Sequence, residues 1–574
     1  MSRRRRVNAD ALLRRAVDAV NGGDFTAGFD LAEKVLAAGD NDDAMRVATH
    51  AAMHMSPEGA AQAFERLAAL RPNDGGILND WGGVLCQLSR YDDAVGAFRG
   101  ALAVRPDDAA TLANLAVALC QLDRLDEAED AARRGIVASP DNAAAHNGLG
   151  TVLERRGQLE EALAAYRRAC QLAPTQRAFQ DNLLLALTAI GSGFDETERI
   201  LRGRLANRPD DVDSLIRLAG ALRDQCKFAK AHETLDRLMA LSLSESQRAQ
   251  ALAALSEVQF LAGDFAAAWA NYRWREKWVG FKRRPHRQPE WTGEDLAGRS
   301  ILVWSEQGVG DEIMFTRFLP LLAAAGAKVV LETDPRLVAL FQRSFPGVTV
   351  VGVADPPDSA TATGIDFQIP IGALGEKFWT RYISERPAAR LQADKIRSAE
   401  MRARYLAAGN AGADQSTRLV GIAWRSVNVW MGGAKSITLN ALAPLLRRRG
   451  TVFVDLQYGD NAADIEVLAA ATGATIVHDQ TFDQFQDLDA FAAQILALDA
   501  VVSISNTTVH MAGAQGVPTA VLLSSAPMWR WGATGETSPW YDSIRLYRQH
   551  APGDWRDPIA AATDFLDRAA AGAL

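Results

Sequence analysis

Small and large apolar positions recur every 34 residues through the first half of the chain. Between residues 75 and 176, small residues stand at Gly82, Ala116 and Gly150, at Ala94, Ala128 and Ala162, and at Ala101, Gly135 and Ala169. Proline closes each copy at Pro106, Pro140 and Pro174, and a ring occupies one further position as Phe98 and Tyr166, with Ala132 departing in the middle copy. The spacing has a packing cause: small side chains let two antiparallel helices approach closely, the ring fills the gap to the neighbour, and proline stops the second helix. One period earlier come Ala48, Ala60, Phe64 and Pro72, and weaker copies carry Ala219 and Ala231, then Ala268 and Tyr272. The pattern predicts about eight helical hairpins over residues 10 to 280, the outer ones degenerate.

That periodicity ends between Lys282 and Arg299, where Pro285, Pro289, Trp291 and Gly293 interrupt it. From Ser300 onward short β-branched runs alternate with helical patterns, which predicts parallel strands joined by crossover helices. Strands are expected at Ile301 to Trp304, Lys328 to Glu332, Val348 to Val351, Leu419 to Trp424, Thr451 to Leu456, Thr475 to His478, Ala500 to Ser505 and Thr519 to Leu523. A charged, mostly helical stretch separates two groups of them. The expected fold class is therefore an α solenoid followed by α/β structure in two Rossmann-like halves. The expected divisions are a helical-repeat domain at 1–282, a linker at 283–299, halves at 300–371 and 418–574, and a helical connection at 372–417. In such sheets ligands sit outside the carboxyl ends of the strands, so chemistry is sought in the loops there.

Composition changes this picture little. A chain of 574 residues exceeds one hydrophobic core. With 23% charged residues, 48% apolar residues and a formal net charge of −8, neither nucleic acid nor an anionic membrane is an expected partner. The basic opening Arg3 to Arg6 is followed by Asn8, Asp10 and Arg14 instead of the apolar run of a secretory signal. No stretch reaches the roughly 18 apolar residues of a membrane span. Cys86, Cys120, Cys170 and Cys226 stand singly, as reduced thiols of a cytoplasmic protein do.

Two loops carry candidate chemistry. After the first strand come Gly308, Gly310 and Asp311 at the start of a helix expected over Ile313 to Leu322. The glycines permit a tight turn, and Asp311 either takes a proton from an acceptor or caps the helix. Late in the chain Asn506, Thr507, Thr508 and His510 begin a helix, where free N–H groups and hydroxyls suit a phosphate; His510 is either a ligand contact or a packing residue. Lys435 and Gln457, beside Tyr458, follow later strands and by themselves read as a solvated lysine and as loop packing. Trp529, Trp531 and Trp540 read as packing more than as a sugar-facing wall, and Asp487 and Asp489 as a helix start rather than a metal site. No metal is expected.

The 34-residue pattern resembles the tetratricopeptide repeat family, whose arrays hold peptides or partner proteins. The Gly310–Asp311 turn, with the segment Asn506 to Pro518, resembles GT-B glycosyltransferases of the bacterial heptosyltransferase type. It resembles less closely the protein O-GlcNAc transferases, which also carry such repeats, and the combined architecture looks like the group that includes flagellin glycosyltransferases. The resemblance implies a metal-independent enzyme that moves a sugar from a CMP- or UDP/ADP-linked donor to serine or threonine of a protein acceptor such as flagellin, with pseudaminic acid among the nonulosonic donors. It places the base on Asp311 and donor contacts on Gly308, Gly310, Lys435, Gln457, Asn506, Thr507, Thr508 and His510, with no other cofactor. Asn506 departs from the aspartate common there. The alternatives are a heptosyltransferase-like enzyme acting on a lipid-linked glycan and a scaffold whose transferase fold has decayed. The enzymatic reading requires the Asn506 turn to lie across an open crevice from the Asp311 turn.

Overall fold

A computed structural model describes residues 3–277, 281, 283–354, 364–387, 390–409, 417–426 and 435–571, without the side chains of 3–8. Lys282, the side chains of Arg3 to Arg6 and residues 427–434 of the stretch before Lys435 lie outside the described residues. The chain divides into two compact units, 1–187 and 188–574.

The first unit is built of helices α1 (Arg3–Asn21), α2 (Phe25–Ala38), α3 (Asp42–Met53), α4 (Pro57–Leu70), α5 (Gly75–Gln87), α6 (Tyr91–Val104), α7 (Ala109–Gln121), α8 (Leu125–Ala138), α9 (Ala143–Arg155) and α10 (Leu159–Leu172). The division between the units falls within α11 (Arg177–Ile190). Consecutive helices pair as hairpins. The first helices of three hairpins start on a periodic cap: the side chains of Asp74, Asp108 and Asn142 accept from the N–H groups of Ile77, Thr111 and Ala145 at 3.3, 2.9 and 3.0 Å. The small positions answer the rings. A Cβ on Gly82 would lie 2.5 Å from the Phe98 ring, and one on Gly150 would lie 2.6 Å from the Tyr166 ring. In the middle copy both Ala116 and Ala132 are fully buried, so the first helix regains a methyl where the ring is lost.

The second unit continues with α12 (Phe194–Asn207), α13 (Val212–Asp224), α14 (Phe228–Met239), α15 (Glu245–Ala262) and α16 (Phe265–Tyr272), then turns to strands. These are β1 (Ser300–Trp304), β2 (Lys328–Thr333), β3 (Thr349–Gly352), β4 (Phe367–Pro370), β5 (Arg418–Ala423), β6 (Thr451–Asp455), β7 (Thr475–Val477), β8 (Ala500–Ile504), β9 (Thr519–Leu523) and β10 (Ile544–Arg548). They form two parallel sheets, ordered β3-β2-β1-β4 and β10-β9-β8-β5-β6-β7. The architecture is thus an N-terminal α solenoid of tetratricopeptide-like helices followed by an α/β part with two parallel sheets. Two strands escape the sequence pattern: β4 ends in Pro370, and β10 carries Arg545 and Arg548 among its five residues. The helix expected over Ile313 to Leu322 is instead Val309–Phe315, a 3-10 turn Thr316–Phe318, and Leu319–Ala324. Pro320 supplies no N–H to continue one ladder.

Inside the second unit α16 is locked to the first sheet's helices. Trp269 contacts the rings of Phe260, Tyr272, Phe315, Phe318, Trp379 and Trp529. A Cβ on Gly375 would lie 2.3 Å from Trp269, so only glycine lets the helix Leu374–Glu385 approach. Trp291 N–H donates to Gln368 O at 2.9 Å and Gln368 N–H to Pro289 O at 3.0 Å, laying the chain before β1 along β4.

Candidate functional site

A cavity of about 540 Å³ in the second unit is lined by Glu257, Tyr272, Gln307, Lys435, Trp529 and Arg530, among others. It lies where α13, α15 and α16 meet the loop after β1 and the segment after β9. Its guanidinium groups are engaged. Arg530 Nη2 donates to Asp311 Oδ1 at 2.6 Å. Arg223 pairs with Asp224 at 2.8 Å and with Glu257. Arg275 pairs with Glu306 and stands 3.9 Å over the Tyr272 ring. Burial works against the Arg530 charge, but Asp311 and Tyr272 outweigh it and hold its pKa above the usual arginine value.

Lys435 differs. Its ammonium has no hydrogen bond or ion pair among the described residues. Burial pushes its pKa down to about 8, and the Arg530 charge adds to that shift, while Asp311 and Glu257 oppose it. The rings of Tyr272, Phe281 and Trp529 wall the cavity, and Trp529 is itself stacked on Phe260 at 4.8 Å.

The two turns singled out by sequence touch each other. A Cβ on Gly310 would lie 3.1 Å from His510 Cδ2 and 3.6 Å from Thr507 Oγ1, so the helices Val309–Phe315 and Thr507–Gln515 meet where an open crevice was expected. Asp311 sits in the first turn of its helix with its carboxylate held by Arg530, and Gly308 is the exposed N-cap. His510 is buried, stacked on Trp531 at 5.1 Å, with Nδ1 3.2 Å from the Tyr541 hydroxyl. Burial, reinforced by the Arg530 charge, drives its pKa well below the usual histidine value, so the ring is neutral. Thr508 is buried, Thr507 is half-buried, and Asn506 Oδ1 accepts from Ser503 Oγ at 3.1 Å while Nδ2 has no partner among the described residues. Gln457 lies in a separate loop, its Oε1 accepting the N–H groups of Trp424 and Arg425 at 3.2 and 2.8 Å.

Asp487 caps the helix Leu488–Leu496 through Ala490 N–H at 2.8 Å, and Asp489 pairs with Arg343. Among the described residues no group of three or more His, Cys, Asp or Glu side chains is placed to hold a metal ion. Nor is any helix long and apolar enough to cross a membrane. Sequence reasoning missed Arg530 as the partner of Asp311 and Glu257 as a cavity wall, because both depend on contacts far apart in the chain. It also missed a line of asparagines in the first unit, whose spacing was there to be read.

Comparison with known proteins bears on this geometry. A tetratricopeptide repeat family model matches residues 79–143 and 130–177. Protein FlbA of Caulobacter vibrioides is 32% identical over 303 residues, 49% of this chain and 48% of that protein, so the chain spans about half the length of the curated relative it matches. Solved structures resembling it include a tetratricopeptide repeat protein from Parabacteroides merdae, 15% identical, covering 47% of this chain and 93% of that one with a TM-score of 0.29. Another is pilF of Pseudomonas aeruginosa, 18% identical, covering 36% and 93% with a TM-score of 0.30. The family and the relative so matched name a repeat and Protein FlbA, not a sugar transferase. They overturn the expected assignment to metal-independent GT-B glycosyltransferases of the heptosyltransferase or O-GlcNAc transferase kind, and with it the nucleotide-sugar donor, whether CMP- or UDP/ADP-linked. The local chemistry agrees with that correction: the expected base is held in an ion pair, the expected histidine is walled in by rings, and the turns that were to face each other across a crevice are in contact. What stands is a tetratricopeptide-type repeat chain with an α/β part.

Proposed function

We propose that the chain is a docking scaffold whose first unit holds an extended segment of a protein partner. One observation carries this reading. Asn79, Asn114, Asn147 and Asn182 lie on the first helices α5, α7, α9 and α11, all half-buried. Asn114 Nδ2 donates to Asn79 Oδ1 at 3.0 Å and Asn182 Nδ2 to Asn147 Oδ1 at 2.9 Å, which orients the carboxamides from hairpin to hairpin. A carboxamide offers two donors and an acceptor with two lone pairs, so one bond to a neighbour leaves capacity for the N–H and C=O groups of a peptide. Such recognition reads main chain more than side chains, as extended-peptide docking does. Flagellin is the first candidate partner. The test is titration of labelled flagellin segments with the full chain and with an Asn114→Ala/Asn147→Ala variant. Binding weakened about tenfold, worth roughly 1.4 kcal/mol, supports the reading; equal affinity of the two proteins removes the asparagines from it.

A second reading concerns the cavity, where the unpartnered Lys435 ammonium favours an anionic group of a small ligand. It needs neither a transferred sugar nor the Asn506, Thr507, Thr508 and His510 turn. Inorganic phosphate should raise the unfolding temperature of the wild-type chain and leave that of Lys435→Met unchanged; an equal rise in both proteins sinks it.

A further inference from the structure

Lys435 combines three features that make an amine nucleophilic: it is withdrawn from bulk water, it has no carboxylate partner among the described residues, and it shares its cavity with a cation, Arg530. Other lysines of this chain are paired with carboxylates, such as Lys227, 2.9 Å from Glu198, and Lys277, 2.8 Å from Glu245. A desolvated lysine next to a second positive charge is the arrangement in which an amine loses its proton near neutral pH and attacks carbonyl carbon. The cavity around it supplies the rest of a binding site. Tyr272 and Trp529 offer flat apolar walls, and Arg530 adds a guanidinium to the lining.

We propose that Lys435 is a nucleophilic lysine whose cavity captures small aldehydes or ketones bearing an anionic group, forming an imine on Nζ. This rests on the reading of the cavity as a small-ligand site. The lone pair of the neutral amine adds to the carbonyl carbon, a proton passes from nitrogen to oxygen through solvent, and the hydroxyl leaves as water when the C=N bond forms. The step neither oxidises nor reduces either partner. The lowered proton affinity of Lys435, with a pKa of about 8, keeps part of the amine free at neutral pH, whereas an ordinary lysine is almost wholly protonated there.

Pyridoxal 5′-phosphate is a suitable probe, because it joins an aldehyde, a flat ring and a phosphate. The full chain is incubated with it at pH 7.5 and reduced with borohydride, and the adducts are mapped by peptide mass spectrometry over the chain's nine lysines. The Lys435 adduct is expected at least about tenfold faster than an adduct at any other lysine. Lys435→Arg, with an unchanged circular dichroism spectrum, should lose the fast adduct. Equal labelling of all lysines, or fast labelling that survives Lys435→Arg, overturns the proposal. Inorganic phosphate should slow the Lys435 adduct severalfold. Fast labelling indifferent to phosphate overturns the anionic-group requirement, and with it the second reading of the cavity, and leaves peptide docking by the asparagines to its own test.

Discussion

Charge is handled differently in the two units. In the first, buried positions belong almost wholly to apolar residues, with the rings of Phe29, Phe64, Phe98 and Tyr166 among them and none in the α7–α8 hairpin, while charged side chains pair on the outside, as Arg99 does with Glu127 at 2.7 Å, both about half exposed. In the second, carboxylates go inside: the side chains of Glu306 and Asp455 are wholly buried and that of Glu332 is 3% exposed. The buried acids lie at carboxyl ends of parallel strands or in the loops after them. Glu306 accepts from Arg275 and from Gly372 N–H, Glu332 from Arg284 and His286, and Asp455 from His478 and Gln457 N–H. A repeat hairpin satisfies its backbone locally and needs only shape between neighbours. Loops that leave a parallel sheet have no ladder of their own, and here buried ions tie them down.

The sharpest way to break this contrast is to damage shape packing in the second unit, where rings as well as ions are at work. Trp269→Ala should cost about 3–5 kcal/mol, because it empties a fully enclosed site against six other rings and the glycine at 375 cannot fill the void. Denaturant unfolding followed by tryptophan fluorescence measures it. A loss under about 1 kcal/mol would mean that the ion network, not the ring cluster, holds α16 to the α/β part.

Next in size is a buried acid whose charge opposes folding. Burial lifts Glu312 from its ordinary 4.5 to about 7, even though Thr333 and Asp334 N–H donate to its carboxylate. Below the ordinary value both folded and unfolded chains carry the proton, and the group contributes nothing. As pH rises from there to about 7 the unfolded chain ionises first, so stability falls by about 3 kcal/mol and then levels off. Glu312→Gln keeps an acceptor for both donors and cannot ionise. The variant should lose that slope, becoming more stable than wild type at pH 8, as read from denaturation midpoints at a series of pH values. A variant with the same slope as wild type would place the titration elsewhere.

These effects explain what could be read in advance. Eight of the ten strands among the described residues follow from β-branched runs because a strand buried on both faces must be apolar, and the hairpins follow from a period because each copy repeats the same contact. β10 was hidden by Arg545 and Arg548, which point its polar positions away from a one-sided pattern. Asp311 was legible as a helix-start acid, but its fate depended on Arg530, 219 positions along the chain, and no local pattern carries such a pairing. His510 sat at a helix N-terminus like a phosphate ligand, and only the Trp531 and Tyr541 rings reveal it as enclosed. The motif resemblance read residue types at turns, whereas the outcome depended on the space between them.

Shape complementarity in the first unit can be tested where its pattern breaks. Ala132→Phe alone should destabilise by about 1–3 kcal/mol, because the ring would enter the space that the Ala116 methyl occupies. Adding Ala116→Gly recreates the Gly82–Phe98 and Gly150–Tyr166 arrangement and should recover most of that loss despite the lower helix propensity of glycine. The double-mutant cycle gives the coupling directly, and additive losses would show that the alanine pair is not a substitute for the glycine and ring.

The smallest effect lies in the turns between paired helices. Ser89, Asp123 and Gly157 share one place in the repeat and one backbone conformation, with φ of 58°, 59° and 76°. After each, the next N–H reaches back across the helix end: Arg90 to Leu85 O at 2.9 Å, Arg124 to Leu119 O at 3.0 Å, and Gln158 to Leu153 O at 2.9 Å. This closes the first helix in the left-handed manner that glycine adopts without the Cβ penalty. Ser89 is exposed, and its replacement removes no ion pair, whereas Asp123 faces Arg155 at 3.7 Å. Ser89→Gly should therefore stabilise the first unit by about 0.5 kcal/mol, the relief of the left-handed strain exceeding the extra freedom glycine gives the unfolded chain. Thermal unfolding of the wild type and the variant side by side measures it. A lower midpoint would mean that unfolded-chain entropy outweighs backbone strain at this position, even in a fold whose third copy already carries glycine there.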